Sequence, residues 1–585
     1  MPRAGLYFFL PKYLSHCPRE GFIFFCPNID SLKICAIISV TGGMILMVSD
    51  FLESNAVNFP DDVALVELNP ASDAPVSWKN SNLIETNRFA PARSQISWQV
   101  FNEKANRCAN FLIEHGINKG DKVAVIMYNC LDWLPVYFGI LKTGAVAVPF
   151  NFRYSANEIL YCANLAQVKL IFFGSEFIGR IESICDKLNA DLIFVGDNCP
   201  SFAHSYHILA ANCKGSNPNI KLDEDDPAAV YFSSGTTGFP KAILHKHRAL
   251  TQAALMEQSH HLTSKNDCFL CIPPLYHTGA KFHWFGSLIS ASKAVLLKGT
   301  KPRDILNAVS NEGCTIVWLL VPWAQDILDE LDNRNLILQN FKLDQWRLMH
   351  IGAQPVPPSL IKRWLNYFPN HKYDTNYGLS ESAGPGCVHL GINNIHKVGA
   401  IGLPGLNWQA KILDDNLCEV PIGSVGELAV KGDGVMIEYF NNPSATAEVL
   451  KNGWLLTGDM ARQDSDGFIY LVDRKKDVII TGGENLYPVQ IEDFIRTCDQ
   501  VSDVAVIGLP DKRLGEIAAA IVQLKPGSAF TVDNLADFCA TLPRYQRPRK
   551  FFIAPVPRNP TGKIDKPLLR KQFNALNLVE LESST

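Results

Sequence analysis

The sequence predicts an α/β protein. A large N-terminal domain of parallel-sheet subdomains, with a small antiparallel β subdomain, is followed by a small α+β C-terminal domain. Three observations carry this. Apolar runs such as VKLIFFG (168–174) and ADLIFVG (190–196) are continuous rather than alternating, as strands buried on both faces of a parallel sheet should be. Stretches with an apolar period of three to four separate such runs at the spacing of βαβ units. Beyond Gly399 the texture changes to short alternating segments joined by Asp, Asn and Gly turns.

The elements follow in order. Residues 98–116 read as a helix, GINKGDKVAVIMYN as a turn feeding a strand, 131–143 as a helix and 145–149 as a strand. A helix over 155–164 and a strand over 168–173 come next, and buried-strand texture returns at KAVLLKG, CTIVWLLVP and QWRLMHIGA. Residues 200–226 are polar and turn-rich and read as a loop. WQAKILDDN, GSVGELAVKG and GFIYLVDRKKDVII form the antiparallel subdomain. VQIEDFIRTC, VSDVAVIGLP, AAAIVQLKPG and NLADFCATLP give the terminal α+β module. The expected division is a leader over 1–46, a large domain over 47–475 and a small domain over 476–585.

The leader carries short apolar runs that fit neither a membrane span nor a signal peptide. It is expected to be dispensable or poorly ordered, with a weak peripheral membrane anchor as the alternative. The chain has 585 residues, too many for one core of ordinary size. Its 54 basic and 58 acidic residues give a formal charge of -4, which supplies no electrostatic reason for a nucleic-acid partner. Sixteen cysteines without framework spacing fit a reducing, cytoplasmic setting. The CxxC pair Cys268 and Cys271 reads as thiols in or beside a strand rather than a metal site. A homo-oligomer is left open.

Three segments carry chemistry. In AAVYFSSGTTGFPKA (228–242) a strand runs into Ser233, Ser234, Gly235, Thr236, Thr237 and Gly238, then Lys241. Small residues let the backbone approach an anion, successive N–H groups form a nest, and the hydroxyls and Lys241 add donors and charge. No Gly-Lys-Ser/Thr closes the loop, so it is not a Walker A motif. In HKYDTNYGLSESAG (371–384) Tyr377 offers a flat face to a purine and Glu381 a hard oxygen to Mg²⁺. The terminal VPRNPTGKIDK (556–566) carries Lys563. The bland readings are a surface loop, a core tyrosine and a solvated lysine.

Together these segments resemble the adenylate-forming superfamily of acyl-CoA synthetases, firefly luciferase and peptide-synthetase adenylation domains, from about Asp50 to Arg570. The resemblance implies ATP, Mg²⁺ and coenzyme A as ligands and a small-molecule carboxylic acid as substrate. It implies that the 233–241 loop holds the ATP phosphates, with Ala242 where the family usually has Gly and Lys246 before His247 in place of a hydroxyl residue. It implies that Asn376, Tyr377, Gly378 and Ser380 line the nucleotide, that Glu381 binds Mg²⁺, and that Gly352, Ala353 and Gln354 line adenine and acyl group. Asp459 matches the acceptor of the ribose hydroxyls, Arg474 a ribose and phosphate contact, Lys476 the hinge of a mobile C-terminal domain. Gly482, Gly483 and Glu484 match the loop that enters for thioester formation, and Lys563 the adenylation lysine. Lys241, Glu381 and Lys563 are the expected catalytic groups.

His277, Gly352 and Ala383 are expected at the acyl pocket, with a hydrogen-bonded core role as the alternative for His277. The segment Leu275, Tyr276, His277 and Thr278 has no acid to pair an α-ammonium. Phe282, Trp284 and Phe285 nearby favour an apolar acid. The leading expectation is an AMP-forming acyl-CoA ligase. A carrier-protein-loading enzyme, a luciferase-like oxygenase and a non-catalytic binding protein stand behind it. The 22 residues after Lys563 carry no carrier-like text.

Overall fold

The computed structural model describes residues 47–70, 92–233, 240–352, 356–384, 386–482, 484–558 and 564–583. The expectation for the leader over 1–46 falls outside them.

Two large sheets form the N-terminal part. In one, Pro227–Ser233, Val146–Pro149, Lys122–Ile126, Val168–Gly174 and Asp191–Val195 lie side by side and parallel. Their residues are buried on both faces, Val123 to Ile126 and Leu170 to Phe173 completely, which is why these runs do not alternate. The opposite edge turns antiparallel. Lys241–Lys246 folds back on Pro227–Ser233, and Glu438–Tyr439 returns from far down the chain to pair with Lys241–Lys246.

In the second sheet Lys372–Asp374, Leu348–Gly352, Ile316–Leu320, Cys268–Cys271, Lys293–Leu297 and Val63–Leu68 are parallel, with Arg93–Ser97 antiparallel at the edge. Cys268 and Cys271 are buried on a central strand, and the Cys268 Sγ lies 3.8 Å from that of Cys314. Helices His247–His261 and Thr278–Ser290 pack on each other.

A five-stranded antiparallel sheet follows, from Gln409–Leu413, Gly426–Lys431, Leu450–Lys451, Trp454–Gln463 and Ile469–Arg474. The chain leaves it at Arg474 through one 3₁₀ turn, Lys475–Asp477, and enters another sheet at Ile479–Thr481. That last sheet pairs Val501–Asp511 with Gly515–Leu524 and buries Val504, Val506, Ala518 and Ala520 against helix Pro488–Arg496 and its neighbours. Among the described residues no helix is long and apolar enough to cross a membrane.

One expectation is corrected. Residues 200–226 are not all loop: His204–Ser205 joins the first sheet and Tyr206–Ala211 is a helix. Tyr206 is buried edge-on against Phe111 and Phe172. That tertiary contact holds a helix too short to be stable by itself.

Candidate active site

Ser233 and Lys241 close the base of a hairpin as directly opposed partners on its two strands. The loop between them includes the predicted Ser234, Gly235, Thr236, Thr237 and Gly238, which lie outside the described residues. The Ser233 hydroxyl donates to Glu381 Oε1 at 3.3 Å, and the Tyr439 hydroxyl donates to the same oxygen at 2.9 Å. The Lys241 ammonium sits 4.7 Å over the Tyr439 ring, a cation–π contact. Burial, together with the Glu381 carboxylate, pushes the Tyr439 phenol well above its usual range, so it stays a donor.

Glu381 is presented on the 3₁₀ turn Ser380–Ser382. Its carbonyl accepts from Met436 N at 2.8 Å. Burial brings His245 down to about 4, so the ring is neutral and its Nε2–H donates to the Ser380 carbonyl at 2.7 Å. The turn ends at Ala383 with φ +50°, a left-handed conformation that costs energy in a residue with a Cβ. Carboxylate and hydroxyl oxygens at this point are the hard donors Mg²⁺ prefers, so the residues present fit that ion.

The second group is anchored by Asp459. Tyr377 is buried and its hydroxyl donates to Asp459 Oδ2 at 2.5 Å. Arg474, the register partner of Asp459 on the neighbouring strand, brings Nε within 3.3 Å of Oδ1. Burial and the adjacent carboxylate hold the Tyr377 phenol neutral. Gly378 passes so close to Gly386 that a Cβ would lie 2.6 Å from its nitrogen. Asn376 points its amide toward Glu257 Oε1 (3.4 Å) and His283 Nε2 (3.3 Å). Gly352 ends its strand beside Asn376, Trp318 and His350. Ala353 and Gln354 lie outside the described residues.

His277 is exposed and caps helix Thr278–Ser290, its Nδ1 accepting from Gly279 N at 3.1 Å. The alternative of a core histidine is therefore corrected. Phe282, Trp284 and Phe285 are fully buried, Trp284 against Phe101 and Phe138 and Phe282 against Tyr231. They are packed into the core, so the inference of an apolar acid from these three rings loses its ground. Lys246 pairs with Asp225 at 2.9 Å, and His247 is buried.

In the C-terminal part Gly482 adopts φ +58° at the tip of a hairpin in which Thr481 opposes the exposed Glu484. Gly483 and Lys563 lie outside the described residues. Lys476 is exposed in the turn where the chain changes sheets. Just before it, burial raises the Asp473 carboxyl to about 6, and that carboxyl accepts from Val489 N at 2.9 Å at the start of helix Pro488–Arg496. Sequence reasoning missed Tyr439, Met436 and His245. Nothing in the text around MIEYFNN marks Tyr439; only its sheet partner does.

Comparison with known proteins bears on the same regions. Residues 52–440 match the family model for AMP-binding enzyme, and residues 490–563 that for the AMP-binding enzyme C-terminal domain. The long-chain-fatty-acid–CoA ligase FadD13 of Mycobacterium tuberculosis is 33% identical over 493 residues, 82% of this chain and 94% of the relative. The structure of a Mycobacterium tuberculosis fatty acyl CoA synthetase aligns with a TM-score of 0.68 at 29% identity, covering 91% of this chain and 99% of that one. The O-succinylbenzoate coenzyme A synthetase MenE of Bacillus subtilis, in complex with ATP and magnesium ion, aligns with a TM-score of 0.73 at 25% identity, covering 89% and 98%.

Proposed function

The chain belongs to the AMP-binding enzyme family, and on that premise we propose that it is an ATP-dependent carboxylate–CoA ligase acting on a fatty or other apolar carboxylic acid. Family membership carries adenylate-forming acid–thiol ligase activity in general; the acid, and coenzyme A as the thiol, are the proposal, and their support is the similarity to a long-chain-fatty-acid–CoA ligase and a fatty acyl CoA synthetase, not the three buried rings. One observation supports it above the others: the loop base, a carboxylate and a tyrosine hydroxyl converge through Ser233, Lys241, Glu381 and Tyr439.

In the first half-reaction a carboxylate oxygen attacks the α-phosphorus of ATP and the bond to pyrophosphate breaks. Negative charge accumulates on the phosphates, so cations and donors aimed there stabilise the transition state preferentially. Lys241 supplies such a charge at the loop base. Glu381 would hold Mg²⁺, which neutralises phosphate charge when bound, and the Ser233 and Tyr439 hydroxyls fix that carboxylate. Asp459, oriented by Tyr377 and Arg474, accepts from the ribose hydroxyls. Lys563 is assigned to the α-phosphate. In the second half-reaction a thiol sulfur attacks the acyl carbonyl and the bond to AMP breaks. Gly482 and Gly483 are assigned to the passage of the incoming arm, and rotation about Lys476 would exchange them for Lys563.

The test is release of AMP from ATP across a panel of fatty, short-chain and aryl acids, with and without CoA. CoA-dependent turnover on apolar acids is expected. Acid-dependent pyrophosphate exchange without turnover on CoA would overturn the thiol assignment, and preference for a charged or amino acid would overturn the acid.

A further inference from the structure

Behind Gly352 lies a sealed cluster that the proposed reaction does not use. Helix His247–His261 contributes His261, helix Thr278–Ser290 contributes His283, and strands Leu348–Gly352 and Lys372–Asp374 contribute His350 and Asp374. All four are 4% exposed or less. His261 Nε2 lies 3.0 Å from His350 Nδ1 and 3.1 Å from Asp374 Oδ2, and the last two atoms are 3.8 Å apart. A ligand nitrogen of His283 is within 4.8 Å of one on His261 and one on His350. The His283 Nδ1–H donates to the Gly279 carbonyl at 2.6 Å, which leaves its Nε2 to face the cluster.

We propose that His261, His283, His350 and Asp374 form a binding site for a divalent transition-metal ion of the zinc class. Four ligands about 2.0–2.1 Å from a tetrahedral ion stand about 3.3–3.4 Å apart; the separations of 3.0, 3.1 and 3.8 Å among His261, His350 and Asp374 bracket that edge, and His283, within 4.8 Å of the two histidines, would have to move inward as the fourth. Imidazole nitrogens with one carboxylate are the donor set such ions accept. Hydrogen bonding serves the cluster incompletely: a single N–H can lie between His261 Nε2 and His350 Nδ1, and the other donor facing Asp374 Oδ2 is His389 Nδ1, at a long 3.4 Å. An ion satisfies all three.

Metal-binding histidines have the second nitrogen held by a carboxylate or a carbonyl; here Gly279 O holds His283, while Glu257 Oε2 stands 3.2 Å from His261 Nδ1 without a hydrogen bond between them. The other oxygen of Asp374 accepts from the backbone N–H groups of Thr375 (2.9 Å) and Gly391 (2.8 Å). Binding through Nδ1 fixes the His350 proton on Nε2. That nitrogen is buried without a hydrogen-bond partner, 3.6 Å from where a Cβ on Gly352 would stand. An ion there would also take His283 Nε2 away from the Asn376 amide, leaving that amide to Glu257. The site would therefore brace the wall formed by Gly352 and Asn376.

The test uses the full chain without a histidine tag, stripped with EDTA and titrated with Zn²⁺ against a chromophoric chelator, and separately with Co²⁺. One ion per chain is expected, with the strong visible bands of tetrahedral Co²⁺ and a rise in Tm. Asp374→Asn and His261→Gln should each weaken Zn²⁺ binding at least about 100-fold. Absence of Zn²⁺ uptake by the wild-type chain would overturn the site, as would undiminished uptake in folded Asp374→Asn. If neither ligand variant folds, the wild-type stoichiometry and the Co²⁺ spectrum decide alone. Neither readout depends on ligase activity, so the outcome is independent of the proposed reaction.

Discussion

Two polar clusters lie on the two large sheets and differ in almost every respect. The one around Glu381 sits at a rim: Ser233, Lys241 and Glu381 are all partly exposed, and a hydroxyl or an ammonium faces each neighbour. The one around Asp374 is shut off from water, with Asp374 and His350 fully buried and Glu257 at 1%. Charge at the rim is shared with solvent, so its groups are held loosely enough to exchange partners with a ligand. Charge in the sealed cluster has only its neighbours, so each group there is part of the fold's stability. The same residue types thus do different work according to whether water reaches them.

This contrast is open to breaking. The largest effect is expected from Asp374→Ala, which removes the oxygen that His261 Nε2 approaches at 3.1 Å and His389 Nδ1 at 3.4 Å; a stability loss of about 3 kcal/mol by denaturant titration is expected from buried polar groups left without a partner and the cavity beside them. A loss under 1 kcal/mol would erase the distinction. Glu381→Gln should do the reverse. Turnover should fall about 100-fold, with a raised Mg²⁺ requirement, as for loss of one group that stabilises phosphate charge, while the denaturation midpoint barely moves. Tyr439→Phe removes one of the two hydroxyls on that carboxylate and should cost turnover about tenfold, near 1.4 kcal/mol; unchanged kinetics would remove Tyr439 from the site.

A pH-dependent effect lies at the junction of sheets. The Asp473 carboxyl has its folded value raised from 3.8 to about 6 by burial, so the folded chain binds this proton more tightly than the unfolded one. The stabilisation is complete below the unfolded value and is lost as pH rises through about 6. Wild type should therefore gain about 2 kcal/mol over Asp473→Asn between pH 7 and pH 4, at about 1.4 kcal/mol per unit. Parallel stability curves would remove Asp473 as the source.

Much of the rim was readable because its residues are contiguous or are neighbours on a hairpin. Asn376 to Glu381 form one stretch of text, and Asp459 and Arg474 are register partners across a short turn. The parallel strands were readable because burial on both faces leaves a continuous apolar run. The sealed cluster was not readable: its members come one or two at a time from separate helices and strands, each looking like an ordinary core histidine or a capping acid. Trp284 and its neighbours misled for a related reason, since an aromatic run beside a pocket segment has the same wording whether it lines a cavity or fills a core. His277 turned out to cap a helix, a role no pattern distinguishes from a ligand contact.

The pairing of Glu438–Tyr439 with Lys241–Lys246 has a consequence in time. About 190 residues separate the two strands. At rates of about 5–20 residues per second, a ribosome needs roughly 10–40 s to add them. Throughout that interval Lys241–Lys246 is an open sheet edge, with unpaired backbone groups able to recruit a wrong strand. Tyr439 is therefore the last of the rim's four groups to be synthesised, and the hairpin that it completes waits for it on the nascent chain.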